Sequence, residues 1–270
     1  MTQRTASLPT ARSLGQGKTA IFLLHGVGGG KEAWAANQPA LADAGYHTLA
    51  WDAPGYGDSE SVHPCSMASL ARALERLMDH TGATTNVLLG HSMGGMVAQE
   101  AAALFPDKIH GLILSATSPS FGPPGRGWQQ TFLRERFAPL DAGLGMAGLA
   151  QQLVPAMMAP GIDTAQHSPV KALMSRVPEA TYRAALGAIV EFNQLANLPR
   201  IGVRTLCLAG EHDRNAPPSV LRRMSERIPG ARYDCIPGVG HLANMEAPDA
   251  FNAMVLEFLQ QHFPVRGEPA

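Results

Sequence analysis

The sequence predicts an α/β protein with a mostly parallel central sheet, helices on both faces of that sheet and one inserted helical segment. Short apolar runs alternate with segments of helical spacing along most of the chain. The apolar runs lack a polar face, which is typical of strands covered by helices on both sides of a parallel sheet. The alternation stops near residue 118 and resumes near residue 200. A chain of 270 residues, 45% of them hydrophobic, can form one such domain with an insertion.

Each element follows from its local pattern. Continuous apolar runs predict the strands, whereas apolar residues three or four positions apart predict the helices, as where Leu70, Leu74 and Leu77 share one face. No strand is predicted in residues 1–17. The predicted strands are residues 19–24, 47–51, 86–89, 109–115, 203–209 and 231–236. The predicted helices outside the insertion are residues 34–44, 67–80, 96–104, 219–228 and 250–262.

The interruption of the pattern divides the chain. Residues 1–118 and 200–270 predict the core domain, and residues 119–199 predict a helical cap inserted into it. The cap segment begins with a turn-rich stretch of glycine and proline. Its helical spacing lies in residues 128–137, 145–158 and 179–195. We expect this segment to cover a site on the core and to shape its pocket.

Ser92 is the candidate nucleophile. It stands in Gly90-His91-Ser92-Met93-Gly94, between a predicted strand and a predicted helix. A sharp strand-to-helix turn holds the middle residue in a strained conformation and presents its side chain outward, and small neighbours relieve the crowding. The alternative is an ordinary serine that caps the helix N-terminus.

A serine hydroxyl needs a base, and the base needs a carboxylate to orient it. His241 lies in a glycine-rich loop after the last predicted strand, and Asp213 follows the strand before it. Both therefore lie at the carboxyl edge of the sheet with Ser92, in the chain order serine, aspartate, histidine. Glu211, two positions before Asp213, is the rival carboxylate.

The negative oxygen that forms on the attacked carbonyl needs hydrogen-bond donors already in place. One predicted donor is the backbone amide of Met93, directly after the nucleophile. The other is the amide of Val27, in the glycine-rich loop that follows the first predicted strand. We expect His25 to hold this loop and His91 to have a structural role.

Taken together, these motifs resemble those of the α/β-hydrolase superfamily. The matching pieces are His25-Gly26, the turn at residues 52–59, the elbow at residues 90–95, the acid loop at residues 210–217 and Gly240-His241. Within that superfamily the chain is most similar to small bacterial ester and enol-lactone hydrolases, such as those resembling 3-oxoadipate enol-lactonase. The resemblance implies a Ser-His-Asp triad on an α/β-hydrolase fold.

The expected function is hydrolysis of a carboxylic ester, a lactone or an enol-lactone through an acyl-enzyme intermediate. Two alternatives stay open. One is hydrolysis of a carbon-carbon bond in aromatic ring-fission products, although the tryptophan that such enzymes carry after the catalytic histidine is Leu242 here. The other is a non-catalytic small-molecule receptor on the same fold. Dehalogenases and epoxide hydrolases of this fold have aspartate at the position of Ser92. The serine therefore argues against a dehalogenase and against an epoxide hydrolase.

The pocket is expected to include Gly26, Trp128, Phe132, Met157 and Leu242, with a small molecule as the partner. Three arginines of the cap could meet a substrate carboxylate, although a solvated surface position is favoured for each: Arg126, Arg134 and Arg136.

Composition excludes several other classes of function. A net charge of -1 gives no reason to expect nucleic acid, and no stretch has the roughly 20 apolar residues of a membrane span. Three widely spaced cysteines and the absence of metal-ligand spacing among the histidines predict no metal, and no cofactor is expected. The first residues lack the apolar run of a signal peptide, so a cytoplasmic protein is expected.

Overall fold

The computed structural model describes residues 7–122 and 127–265. Within these residues, seven strands form one sheet in the order β1-β3-β2-β4-β5-β6-β7. All neighbouring strands are parallel except β1 and β3, which are antiparallel. The strands are β1 (Ala11–Leu14), β2 (Thr19–Leu24), β3 (His47–Trp51), β4 (Thr85–His91), β5 (Gly111–Ser115), β6 (Arg204–Gly210) and β7 (Arg232–Ile236). The predicted fold class, a mostly parallel sheet between layers of helices, is confirmed.

Helices cover both faces of this sheet. The helices of the core are α1 (Gln38–Asp43), α2 (Met67–Thr81), α3 (Met93–Leu104), α8 (Pro218–Arg227), α9 (Ala243–Glu246) and α10 (Pro248–His262). Four further helices lie between β5 and β6 in the chain, and we call them the helical insertion. They are α4 (Trp128–Asp141), α5 (Gly145–Met157), α6 (His167–Ser175) and α7 (Glu179–Val190).

The hydrophobic core lies on both sides of the sheet. On β2, Phe22 packs into the cluster that contains α2, α3, α8 and the helical insertion, whereas Ile21 packs into the cluster that contains α1 and α10. Successive residues of a strand point to opposite faces, so a strand buried on both faces has no polar side. This burial explains the continuous apolar runs by which the inner strands are identifiable in the sequence.

Four elements differ from the sequence prediction, and the short helix α9 is one that it missed. Strand β1 was not predicted, because this four-residue edge strand is half-buried or exposed and carries no apolar run. The predicted helix at residues 34–44 is wrong: a 3-10 turn at Lys31–Trp34 precedes the shorter α1. Pro39 lies at the start of α1, and its missing amide hydrogen prevents one helix from continuing through that position. Helix α6 was also missed.

The topology brings several loops to one edge of the sheet. Strands β2, β4, β6 and β7 are parallel, so the loops that follow them lie at the same carboxyl edge. The predicted nucleophile, acid and base all belong to these loops. Within the part of residues 119–199 that the structure describes, β-pairing is limited to one bridge between Ser120 and Asn193.

Candidate active site

Ser92 lies in a strained turn between β4 and α3. Its backbone φ is 52°, a region that residues other than glycine rarely adopt and that costs on the order of 1–3 kcal/mol. The end of β5 holds this turn, because the Ser92 amide donates to the carbonyl of Ser115 at 2.9 Å. The Thr117 hydroxyl also donates to the Ser92 carbonyl at 2.8 Å. The Ser92 side chain makes no capping hydrogen bond to α3, which leaves its hydroxyl available for other partners.

The glycines around Ser92 are required by close backbone contacts. A Cβ atom on Gly90 would lie 2.4 Å from the carbonyl oxygen of Gly94. A Cβ atom on Gly94 would lie 2.1 Å from the carbonyl oxygen of Leu24, at the end of β2. Neither contact is possible for real atoms, so the turn needs hydrogen at both positions.

The structure brings Ser92, His241 and Asp213 together. The Nε2 atom of His241 lies 3.1 Å from the Ser92 Oγ, and its Nδ1 lies 2.8 Å from Oδ2 of Asp213. Because a carboxylate only accepts, Nδ1 carries the hydrogen and Nε2 is free to accept the serine proton. The other Asp213 oxygen accepts the amides of Asn215 and Ala216 at 2.8 and 2.9 Å, which fixes the carboxylate.

The rival carboxylate is elsewhere. Glu211 is exposed, and it accepts the amide of Gly238 at 2.8 Å instead of approaching His241. The neighbouring His212 is exposed as well and lies 3.8 Å from Glu211. Of the two acidic side chains in this loop, Asp213 alone contacts the imidazole.

The backbone of His241 is held from two sides. Its amide donates to the carbonyl of Met157, at the end of α5, at 2.8 Å. Its carbonyl accepts from Nε2 of His91 at 2.8 Å. Burial lowers the pKa of His91 to about 3, so this ring stays neutral beside the second imidazole. The predicted structural role of His91 fits this geometry.

Glu246 is a site residue that sequence reasoning missed. Its buried carboxylate accepts the amides of Gly240 and Leu242, on either side of His241, at 2.8 and 2.9 Å. It also accepts the amide of Ala159, two residues after the end of helix α5, at 2.9 Å. The only sequence signal was a glutamate shortly after His241, and a glutamate is usually exposed to solvent.

The loop after β2 lies directly against the serine. A Cβ atom on Gly26 would be 3.2 Å from the Ser92 Cβ, so the backbone can approach closely only with glycine there. Tyr56 donates its hydroxyl to the Val27 carbonyl at 3.0 Å. Neither the Val27 amide nor the Met93 amide donates a hydrogen bond to another residue in the described ranges. Two unused donors therefore lie beside Ser92.

His25 holds that loop in place. Its Nδ1 donates to the carbonyl of Gly26 at 2.8 Å, and its Nε2 accepts the amide of Ala53 at 3.0 Å. Complete burial lowers the pKa of His25, which favours the neutral ring that this hydrogen-bond pattern needs. The geometry agrees with the expected holding role and gives His25 no contact with Ser92.

A cavity of about 410 Å³ adjoins Ser92 and His241. Four of the residues expected in the pocket line it: Gly26, Phe132, Met157 and Leu242. The fifth, Trp128, is not among the lining residues that the structure describes. Its ring packs on Phe121, with the ring centroids 4.9 Å apart, and Phe121 lines the cavity. Arg126 lies outside the described residues.

No group of three or more histidine, cysteine or acidic side chains that could hold a metal ion occurs in residues 7–122 and 127–265. Across the same ranges, no helix combines the length and the apolar character that crossing a membrane requires.

Comparison with known proteins identifies the family. The family model described as "alpha/beta hydrolase fold" matches residues 19–248. The chain belongs to the α/β-hydrolase fold family. One curated relative of the chain, from Pseudomonas putida, is 31% identical over 254 residues, which cover 92% of this chain. Its name is dihydrolipoyllysine-residue acetyltransferase component of acetoin cleaving system, and the match spans only 65% of its length.

A second relative, from Pseudomonas sp., is named 2-hydroxy-6-oxononadienedioate/2-hydroxy-6-oxononatrienedioate hydrolase and is 28% identical over 91% of this chain and 89% of its own. An esterase structure from Thermogutta terrifontis has a TM-score of 0.85 at 26% identity, covering 94% of this chain and 93% of that one. The enol-lactonase of Burkholderia xenovorans LB400 has a TM-score of 0.84 at 25% identity, covering 93% and 96%. These similarities support an enzyme of the hydrolase class.

Proposed function

We propose that this α/β-hydrolase is a serine hydrolase that cleaves a carboxylic ester or a lactone through an acyl-enzyme intermediate. The observation that carries the proposal is the continuous hydrogen-bonded chain from the Ser92 hydroxyl through His241 to Asp213. All three side chains lie at one edge of the sheet, beside a cavity that can hold a small molecule. The similarity to an esterase and to an enol-lactonase supports the same substrate classes.

The first half of the reaction forms the acyl-enzyme. The His241 Nε2 takes the proton of Ser92 as Oγ attacks the carbonyl carbon, and Asp213 stabilises the resulting imidazolium. The amides of Val27 and Met93 donate to the negative carbonyl oxygen. When the carbon-oxygen bond of the ester breaks, His241 gives its proton to the departing alkoxide, and the acyl group stays on Ser92.

The second half restores the enzyme. A water molecule gives a proton to His241 and attacks the acyl carbon, and the same two amides again hold the negative oxygen. The bond to the serine oxygen then breaks, His241 returns the proton to that oxygen, and the acid leaves. For a lactone, the alcohol and the acid belong to one product molecule.

Residues 119–199 serve in this proposal as the cap that shapes the substrate pocket, while residues 1–118 and 200–270 provide the core domain. Support comes from the cavity lining, to which α4, α5, α6 and α7 contribute side chains that include Phe132, Met157, Met174 and Leu186. Because the cap is mostly apolar on this side, it excludes water and strengthens the electrostatic interactions at the serine.

The relative that is named as a hydrolase of a dienedioate keeps carbon-carbon cleavage as the second candidate. Leu242 argues against it, because the position directly after His241 lacks the expected tryptophan. Comparing turnover of a ring-fission dienoate with turnover of simple esters separates the two reactions. We expect at least tenfold higher kcat/KM on the ester, and the reverse order would favour carbon-carbon cleavage.

The direct test is hydrolysis of a short p-nitrophenyl ester by the wild-type protein and by Ser92→Ala. We expect the substitution to lower kcat by about 10⁴-fold or more. A serine-directed phosphonate should add its mass at Ser92 in the wild-type protein. Equal rates for the two proteins would contradict the proposal and favour a non-catalytic receptor.

A further inference from the structure

The charged side chains that line the cavity are all positive in the part of the chain that the structure describes. Two arginines line it, Arg136 from α4 and Arg214 from the loop after β6. No aspartate or glutamate is among the lining residues that the structure describes. Most of the remaining lining is apolar, so few protein groups there can hydrogen-bond to a positive charge.

Arg136 is the cation in the more apolar position. It is partly buried, and its guanidinium carbon lies 5.1 Å from the centre of the Phe132 ring, which also lines the cavity. Its positive charge also acts on Tyr182, a second lining residue. Burial raises the pKa of the Tyr182 hydroxyl, and the charge of Arg136 partly opposes that rise. An attraction to an aromatic face uses none of the five N–H donors of the guanidinium.

Two other arginines of the helical insertion have hydrogen-bonding or acidic partners, but the Arg136 guanidinium has neither within the described residues. Arg183, on α7, contacts the carboxylates of Asp141 and Glu179 at 2.6 and 2.8 Å. Arg134, one of the neighbours of Arg136 on α4, is exposed and donates to the hydroxyl of Thr131 at 3.0 Å. An arginine that lines an apolar cavity without an acidic partner has its guanidinium donors available for an anionic ligand.

We propose that Arg136 binds a carboxylate of the substrate, so that the enzyme selects esters or lactones that carry a free acid group besides the bond that is cleaved. This inference rests on the proposed function. A carboxylate accepts two parallel N–H bonds from one guanidinium, and the low polarity of the cavity strengthens them. Arg214 contributes less, because it is exposed next to Asp213 and water screens its charge.

The test compares matched esters that differ in one charge. The p-nitrophenyl half-ester of glutaric acid carries the carboxylate on the acyl side, and p-nitrophenyl pentanoate is its neutral counterpart. A second pair, 3-carboxy-4-nitrophenyl butyrate and 4-nitrophenyl butyrate, carries it on the leaving group. We expect the wild-type protein to prefer the anion by about tenfold to hundredfold in kcat/KM in one pair, the range that charge-assisted hydrogen bonds provide.

Four variants locate the effect. Arg136→Gln should abolish the preference by lowering kcat/KM for the anionic ester far more than for its neutral counterpart, whereas Arg136→Lys should keep part of it. Arg134→Gln is the matched control on the same helix and should keep the full preference. No preference in either pair, or a preference that Arg214→Gln removes and Arg136→Gln does not, would overturn the assignment.

A binding measurement separates this inference from the proposed function. Calorimetry with the uncleaved half-ester on Ser92→Ala needs no catalysis, and adding Arg136→Gln should weaken Kd by about tenfold or more. Binding that is insensitive to Arg136 would overturn the inference even where the ester is hydrolysed at Ser92. Conversely, Arg136-dependent binding without turnover would overturn the proposed reaction and leave the anion site in place.

Discussion

The carboxylate of Glu246 accepts the amide of Ala159 at 2.9 Å and so joins the loop of His241 to the residues that follow α5 of the helical insertion. The same carboxylate accepts the amides of Gly240 and Leu242, on either side of the histidine. One buried acidic side chain therefore fixes both the position of the proposed base and the position of the proposed cap against it. Glu246 is a positioning residue in this account, because it contacts no reacting atom.

The first prediction concerns Glu246→Gln. A glutamine offers one oxygen where the carboxylate offers two, so at least one of the three amides loses its acceptor and faces an N–H group. We expect a loss of about 2 kcal/mol in the free energy of unfolding. We also expect kcat on a p-nitrophenyl ester to fall by about tenfold, because His241 is held less well, while KM changes by less than twofold.

The matched control is Glu257→Gln, on α10, which removes an exposed carboxylate paired with Arg232. Exposed ion pairs contribute little to stability, so this variant should resemble the wild-type protein in both measurements. If Glu246→Gln loses stability but keeps kcat, the residue supports the fold alone and the positioning role is wrong.

The second prediction distinguishes the two carboxylates of the acid loop. Asp213→Asn keeps an oxygen for the Asn215 and Ala216 amides but presents an amide group to Nδ1 of His241. That group favours the wrong tautomer of the ring, and we expect kcat to fall by about 10³- to 10⁴-fold. Glu211→Gln changes an exposed carboxylate in the same loop and should leave kcat within about twofold. Equal losses in the two variants would contradict the assignment of Asp213.

Sequence patterns predicted the elements that are buried on both sides, because burial forces continuous apolar runs on β2, β4 and β5. They missed β1, where an edge position leaves the side chains half-exposed and removes that constraint. They also placed Ser92 and His241 in loops at one edge of the sheet, because the loops that follow parallel strands all lie at the carboxyl edge.

The sequence could not separate side chains that share a helix or a loop. Arg134 and Arg136 are two positions apart on α4, yet one is exposed and the other lines the cavity. Trp128 was expected in the lining, whereas in the structure its ring packs on Phe121. Glu246 was missed because its partners are backbone amides, which every residue carries and no sequence pattern reveals.

The third prediction tests the close packing beneath Ser92. In Gly94→Ala the new methyl group would lie 2.1 Å from the Leu24 carbonyl, so α3 must move away from β2. We expect at least about 3 kcal/mol of lost stability and a loss of esterase activity larger than the loss of folded protein. Circular dichroism and the p-nitrophenyl assay on the same samples measure both effects.

Gly187→Ala is the matched control for that substitution. Gly187 lies in α7, and a methyl group there would meet no atom within 4 Å. Alanine costs less conformational entropy than glycine in a helix, so this variant should gain about 0.5–1 kcal/mol with unchanged kcat. A Gly94→Ala protein as stable and active as this control would show that the predicted backbone contact does not constrain the turn.

The last prediction is a pH dependence of stability that originates at His91. Burial lowers the pKa of this ring from 6.5 to about 3, with the charge of His241 as the next cause. Between these two pH values the unfolded chain binds a proton at His91 and the folded protein does not, so the free energy of unfolding rises with pH through this window. Above pH 6.5 the ring is neutral in both states and contributes nothing to the slope.

Lowering the pH from 7.5 to 5 should therefore reduce the free energy of unfolding by about 2 kcal/mol through His91 alone. Glutamine at position 91 can still donate to the His241 carbonyl but cannot take up a proton. In urea titrations at several pH values, His91→Gln should reduce the slope below pH 6 by up to about 1.4 kcal/mol per pH unit. Buried His25, whose pKa is also lowered, keeps its share of the slope in both proteins. Parallel stability curves for the two proteins would show that His91 is protonated as readily in the folded state as in the unfolded one.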